Sequence, residues 1–126
     1  MRLTVSSIRR KSNLKRSIDK VSDSSKTESA INTIGNKGLS RLISATPKRS
    51  GGTASSWDME VEKTQNGLNL YYSNSKKVSD GTPLVVLIVN GHGTGTGGYV
   101  PANDFVSPII DSISKEIMRE VDKIIE

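Results

Sequence analysis

The spacing of apolar residues changes character along this chain. From Thr27 to Ala45, Ile31, Ile34, Gly38, Leu39, Leu42 and Ala45 recur at steps of three and four, the single apolar stripe of an amphipathic helix. Gly35 and Gly38 each cost about 1 kcal/mol relative to Ala in a helix interior. Two glycines about one turn apart therefore predict either close backbone packing against a neighbour or a locally weak helix. Thr46-Pro47 ends the helix, because Pro disfavours helical geometry at the residue before it. Residues 48–53, KRSGGT, form a loop by composition. The period then drops to two. Trp57, Met59 and Val61 alternate with Asp58, Glu60 and Glu62, and Leu68, Leu70 and Tyr72 alternate with Asn69 and Tyr71. Asn66-Gly67 between the two runs is a strong hairpin signal, since both residues tolerate positive φ. A two-residue turn there pairs Lys63 with Leu70, Val61 with Tyr72 and Met59 with Asn74. It places Trp57, Met59, Val61, Leu68, Leu70 and Tyr72 on one face.

A polar connection, residues 73–82, leads to PLVVLIV at 83–89. Its β-branched residues favour a buried strand, whereas its flanks favour a helix: Thr82 as cap, Pro83 at the first helical position and Gly91 as terminator. Ser107 as cap and Pro108 at the start open a final helix, with Ile109, Ile110, Ile113, Ile117, Val121 and Ile124 on one side. Lys115, Glu116, Arg119, Glu120 and Lys123 form its solvated face. At the other end, Leu3, Val5 and Ile8 allow a short strand. The expected fold is α+β, a small antiparallel sheet with a central hairpin packed against two longer helices. It forms one domain over 26–126, preceded by an arm over 1–25.

Charge distinguishes the arm from the body. Residues 1–20 hold Arg2, Arg9, Arg10, Lys11, Lys15, Arg16 and Lys20 against Asp19 alone, while the rest of the chain carries 11 basic and 12 acidic residues. A segment so basic reads as facing a polyanion or serving as an interaction tail, or equally as a solvated, partly disordered terminus. Aromatic residues are only 4% of the 126, so the core is lean and subunit contacts are expected to supply part of the stability. With no Cys, disulfides and thiolate metal sites are excluded. No apolar run approaches the ~18 residues of a membrane span, and no apolar stretch of signal-peptide type follows the first basic residues. A soluble intracellular product is the simplest expectation.

Gly93-Thr94-Gly95-Thr96-Gly97-Gly98 matches the spacing of a dinucleotide-binding fingerprint. That chemistry needs a helix N-terminus directly after the glycines to face the pyrophosphate. Here Tyr99-Val100-Pro101 follows instead, and the ribose-binding acid would fall inside the last helix. A phosphate loop of the Gly-Lys-Ser/Thr kind needs a Lys that the segment lacks. His92 is the single histidine. No serine sits in a nucleophile elbow, and no carboxylates stand at ligand spacing from His92, so a local hydrogen bond is its expected role. No catalytic residue, cofactor site or metal site is predicted.

The order of features carries a resemblance. A helix ending in Ala45-Thr46-Pro47 is followed by Lys48-Arg49-Ser50-Gly51-Gly52-Thr53-Ala54-Ser55-Ser56-Trp57, a hairpin and a short apolar segment closing at Gly91. The glycine-rich loop, then Pro101-Ala102-Asn103-Asp104-Phe105-Val106-Ser107-Pro108 and a long terminal helix complete the chain. This resembles the tail-completion, or head–tail joining (neck), proteins of long-tailed bacteriophages over roughly residues 27–126. The chain departs from the family pattern at Ser50–Ala54, where Leu or Arg usually follows Thr-Gly, and at Asn90–Gly93, where an acid usually precedes Gly-Thr.

The resemblance implies a helix at PLVVLIV and a small subunit assembled as a ring, commonly hexameric, between head connector and tail tube. It implies no enzymatic activity and no cofactor. The virion head–tail interface is the implied location, with the host cytoplasm during assembly. Gly93–Gly98 is then a mobile loop that orders against a neighbouring ring, and the basic arm faces DNA in the channel or an adjacent protein. The rival expectation is a small nucleic-acid-binding protein using the basic arm, although base-stacking aromatics are scarce and no recognition-helix signature is present.

Overall fold

A computed structural model describes residues 2–9 (backbone), 25–47, 52–64 and 67–125. The elements run β1 (Arg2–Arg9), α1 (Ser25–Ala45), a 3₁₀ turn (Ala54–Ser56), β2 (Trp57–Thr64), β3 (Gly67–Asn74), α2 (Leu84–Asn90), β4 (His92–Gly93), β5 (Tyr99–Val100) and α3 (Val106–Ile125). β1, β3 and β2 form an antiparallel sheet in that order, with β3 central. α3 packs against α1 and reaches β1, while α1 meets β2 and β3. The fold is the expected α+β. The start of the basic segment is, however, part of the sheet, since residues 2–9 pair with residues 67–73 of β3. Residues 10–24 lie outside the described residues.

Three apolar faces converge on one core. Ile31, Ile34 and Leu42 come from α1, Leu68, Leu70 and Tyr72 from β3, and Ile109, Ile113, Ile117 and Val121 from α3, all buried. Each such side chain contributes roughly 1.5–3 kcal/mol through loss of contact with water. Trp57 of β2 is buried as well, with Met59 and Val61 packed at the margin. Ala45, expected in the α1 stripe, is exposed, because the chain leaves the helix there and Thr46 turns inward instead. The Thr46 hydroxyl donates to Leu42 O at 2.6 Å and accepts from Trp57 Nε1 at 2.8 Å. One buried hydroxyl thus closes α1 and ties it to the start of β2. Ile124 lies beyond the last described side chain.

The glycines of α1 mark close packing. Tyr72 Oη donates to Gly35 O at 2.6 Å. A Cβ built at Gly38 would collide with Tyr72 Oη and lie 2.8 Å from Ile113 Cγ1. One at Gly35 would lie 2.7 Å from Met59 Sδ. Where α1 carries these glycines, sheet and α3 approach its backbone directly. At its polar edge, Lys37 pairs with Glu116 of α3 at 3.1 Å, and Arg41 Nη1 donates to Ser112 Oγ at 3.1 Å. Glu116 is therefore half-buried between helices rather than on an open face.

Hairpin faces match the pattern, but the register does not. Thr64 pairs with Gly67, Val61 with Leu70, Met59 with Tyr72 and Trp57 with Asn74. This differs by two residues from a turn on Asn66-Gly67 and moves the connection to 65–66, outside the described residues. A shift of two keeps every side chain on its face, so apolar alternation is blind to it. A polar contact favours the observed register. Buried Asn74 donates from Nδ2 to Thr53 O at 2.8 Å, next to the start of β2.

Both later helix starts also move. Thr82 belongs to the preceding turn, its N–H bonded to Asp80 Oδ1 and its carbonyl to Val78 N–H. Extended Pro83, at ψ 127°, is consequently the cap of α2 rather than its first residue. α3 begins at Val106, and Asp104 Oδ1, not Ser107, accepts its first amides, from Val106 at 3.2 Å and Ser107 at 3.0 Å. Pro108 falls in the first turn, where helical N–H groups have no partner within the helix to lose.

Candidate functional site

The stretch from α2 to α3 holds most of the features singled out in the sequence. α2 ends at Gly91, whose φ of 79° suits glycine and turns the chain out of the helix. The chain then forms a small hairpin that carries the glycine-rich loop at its tip. His92 pairs with Val100 and Gly93 with Tyr99. Across its tip, Thr94 N–H donates to Gly98 O at 3.1 Å and Gly98 N–H to Thr94 Oγ1 at 3.1 Å, with Thr96 Oγ1 also 3.1 Å from Thr94 Oγ1. Gly95 and Gly97 take φ of 82° and 91°, and a Cβ at either would meet nothing within 4 Å. Gly95 and Gly97 thus serve backbone conformation, whereas a Cβ at Gly98 would stand 2.9 Å from Thr94 Oγ1. Residues 93–104 are all exposed.

This geometry differs from a phosphate cradle. Such a cradle aims free N–H groups and a helix N-terminus at one point. Here the amides of Thr94 and Gly98 are consumed within the hairpin, and α3 starts only at Val106. His92 is half-buried, with Nδ1 3.3 Å from Leu87 O, the local contact expected of it. Among the described residues no group of three His, Cys, Asp or Glu side chains stands close enough to hold a metal ion.

At the base of the hairpin, contacts to α2 make one unit of the two. Asn103 N–H donates to Ile88 O at 2.9 Å, and a Cβ at Gly91 would stand 2.5 Å from Tyr99 Oη and 2.9 Å from Val100 O. Asp104 caps α3 immediately beyond. Its carboxyl is held below the usual carboxylate range by the Ser107 hydroxyl and then the Ser107 amide, with burial opposing weakly and the Val106 amide adding a little. The sequence signal for this cap was an acid just before an apolar period, masked by the adjacent Ser-Pro.

The basic residues are only partly placed. Arg2 and Arg9 stand at the two ends of β1, opposite Ser73 and Gly67. Arg10, Lys11, Lys15, Arg16 and Lys20 lie outside the described residues, as do residues 48–51. Of the seven basic residues, the described part of the chain therefore places Arg2 and Arg9 alone. No described helix is long and apolar enough to cross a membrane. Comparison of the chain with family models, curated proteins and solved structures gives no match.

Proposed function

We propose that this chain is a structural subunit of a tailed bacteriophage, assembling as a ring, most simply of six copies, that joins the head connector to the tail tube. The order of elements after α1 supports this reading: hairpin, short helix, exposed glycine hairpin and long terminal helix. One observation carries the most weight. PLVVLIV has the composition of a strand, and the tail-completion resemblance implies a helix there. The segment is helical over Leu84–Asn90.

In this role the chain has no catalytic step and no cofactor. The tip residues Gly93–Gly98 reach toward a neighbouring ring, and the basic segment lies against DNA in the channel or an acidic protein surface. The charge of that segment is also what favours the second reading, a small nucleic-acid-binding protein.

Two assays test the proposal. Electron microscopy of the purified chain should show closed rings with a central channel. Particles assembled without this protein should accumulate as unjoined heads and tails that the added protein joins. A chain that forms no rings and leaves joining unchanged would rule the reading out.

A further inference from the structure

Asn90 is the last residue of α2, and Gly91 follows it at φ 79° and ψ 160°. The Asn90 side chain is exposed, and its amide has no hydrogen-bond partner among the described residues. α2 is only seven residues long and is tied to the core by Val85 and Val89, so its last turn is the kind that frays. Leu87 O, the acceptor that helical spacing offers the Gly91 amide, also lies 3.3 Å from His92 Nδ1. Two nitrogens thus face one acceptor where the helix ends. Gly91 has no Cβ to crowd an approach to its own nitrogen.

We propose that Asn90 is a site of spontaneous deamidation, which marks age at the joint between α2 and the hairpin. The Gly91 backbone nitrogen loses its proton to solvent base and attacks Asn90 Cγ. A bond from that nitrogen to Cγ closes a succinimide ring, and the side-chain amide nitrogen leaves as ammonia with the proton returned. Water then opens the ring. Attack at the former Cγ restores the main chain with aspartate at 90, and attack at the backbone carbonyl gives isoaspartate. No electrons are transferred, and water is the only co-reactant.

Both products strike a sensitive place. From Gly81 to Asn103 the chain runs 23 residues without a Lys, Arg, Asp or Glu. Aspartate sets the first charge of that stretch at a helix C-terminus, where the dipole disfavours an anion. Isoaspartate adds a methylene to the main chain just before Gly91. A Cβ at Gly91 would already stand 2.5 Å from Tyr99 Oη, 2.8 Å from Ala102 N and 2.9 Å from Val100 O. With no room to absorb the longer chain, the hairpin base must shift, and the bond from Asn103 N–H to Ile88 O at 2.9 Å is the one it breaks. The inference stands apart from the ring reading, since the chemistry needs no partner.

Ageing the full chain at neutral and mildly alkaline pH, native and unfolded in guanidinium, tests it. Digestion and fragmentation mass spectrometry should locate a gain of one dalton at Asn90, separately from any change at Asn66 or Asp80. The gain should come faster at the higher pH, and fraying should keep the native rate within about tenfold of the unfolded one. Hydrogen exchange at the Asn103 amide should quicken in the aged wild type and not in equally aged Asn90→Gln. A native chain that keeps Asn90 intact while the unfolded chain loses it overturns the proposal, because the helix then protects the site. So does a deamidated native chain whose Asn103 amide stays as protected as that of Asn90→Gln, since the joint then registers nothing.

Discussion

Gly38 shows how one residue position links three elements. Alanine there would gain about 1 kcal/mol of helix propensity. Its Cβ, however, would occupy the space of Tyr72 Oη and press on Ile113. Either the phenol withdraws from Gly35 O or α1 and α3 move apart, and overpacking of this kind costs typically 1–3 kcal/mol. Gly38→Ala should therefore lower the urea midpoint, and a raised midpoint would show that the contact yields freely. Tyr72 adds a test in alkali. Burial pushes its pKa up to about 12 from the ordinary 10.0, with the Arg41 charge offsetting part of the rise. A raised folded pKa means the stabilisation is complete below about pH 10 and fades as pH climbs toward 12, because the unfolded chain ionises first. Tyr72→Phe should flatten that alkaline loss relative to wild type, and identical stability profiles above pH 10 would contradict it. The sequence left tight packing and a locally weak helix both open at these glycines, and the contacts decide for packing. It could not name Tyr72, because the contact joins α1 to a strand far along the chain.

Among the elements, legibility depended on whether the deciding interaction was periodic. The faces of α1, β2, β3 and α3 follow from apolar spacing and appear as expected, apart from exposed Ala45 and half-buried Glu116. The observed hairpin register sets the Asn74 amide against Thr53 O, a contact that no spacing records. In α2, Val85 and Val89 are the two residues that reach the core, and their four-residue separation is that of a helix face. Turn geometry at Val78–Thr82 and Gly91 bounds the helix, outweighing the β-branched composition between. For α3, the cap is a carboxylate three residues ahead of the expected serine. Asp104→Ala should cost about 0.5–2 kcal/mol by removing the acceptor for two first-turn amides. The pH dependence has the opposite sign to that of Tyr72. A depressed folded pKa gives stability that is present above the unfolded value and lost as pH falls through the folded one. Thermal unfolding from neutral to acid pH should show the wild-type advantage over Asp104→Ala shrinking in acid. An advantage that persists unchanged at low pH would locate the effect elsewhere.

For the whole molecule, the governing contrast is between a basic beginning and an uncharged stretch before α3. The first was evident from composition, whereas the second gained meaning only once Asn90 stood exposed at the end of α2. Six copies would bring roughly 36 net positive charges from residues 1–20 to one level of a ring, a density that calls for a polyanion or an acidic surface nearby. Deleting residues 1–20 would be a poor test, because it also removes β1 and exposes the edge of β3. The cleaner variant replaces Arg10, Lys11, Lys15, Arg16 and Lys20 with Gln and leaves the strand in place. If these side chains lie on DNA, wild-type affinity for duplex DNA should fall steeply with salt, by about 0.9 in log–log slope for each phosphate neutralised. The Gln variant should bind more weakly with a much shallower slope, while its unfolding midpoint and self-association stay near wild type. Contact with an acidic protein surface predicts instead that DNA titrations of the two proteins superimpose while head–tail joining becomes salt-sensitive and fails in the variant. Superimposed DNA titrations together with unimpaired joining would remove the basic segment from the mechanism.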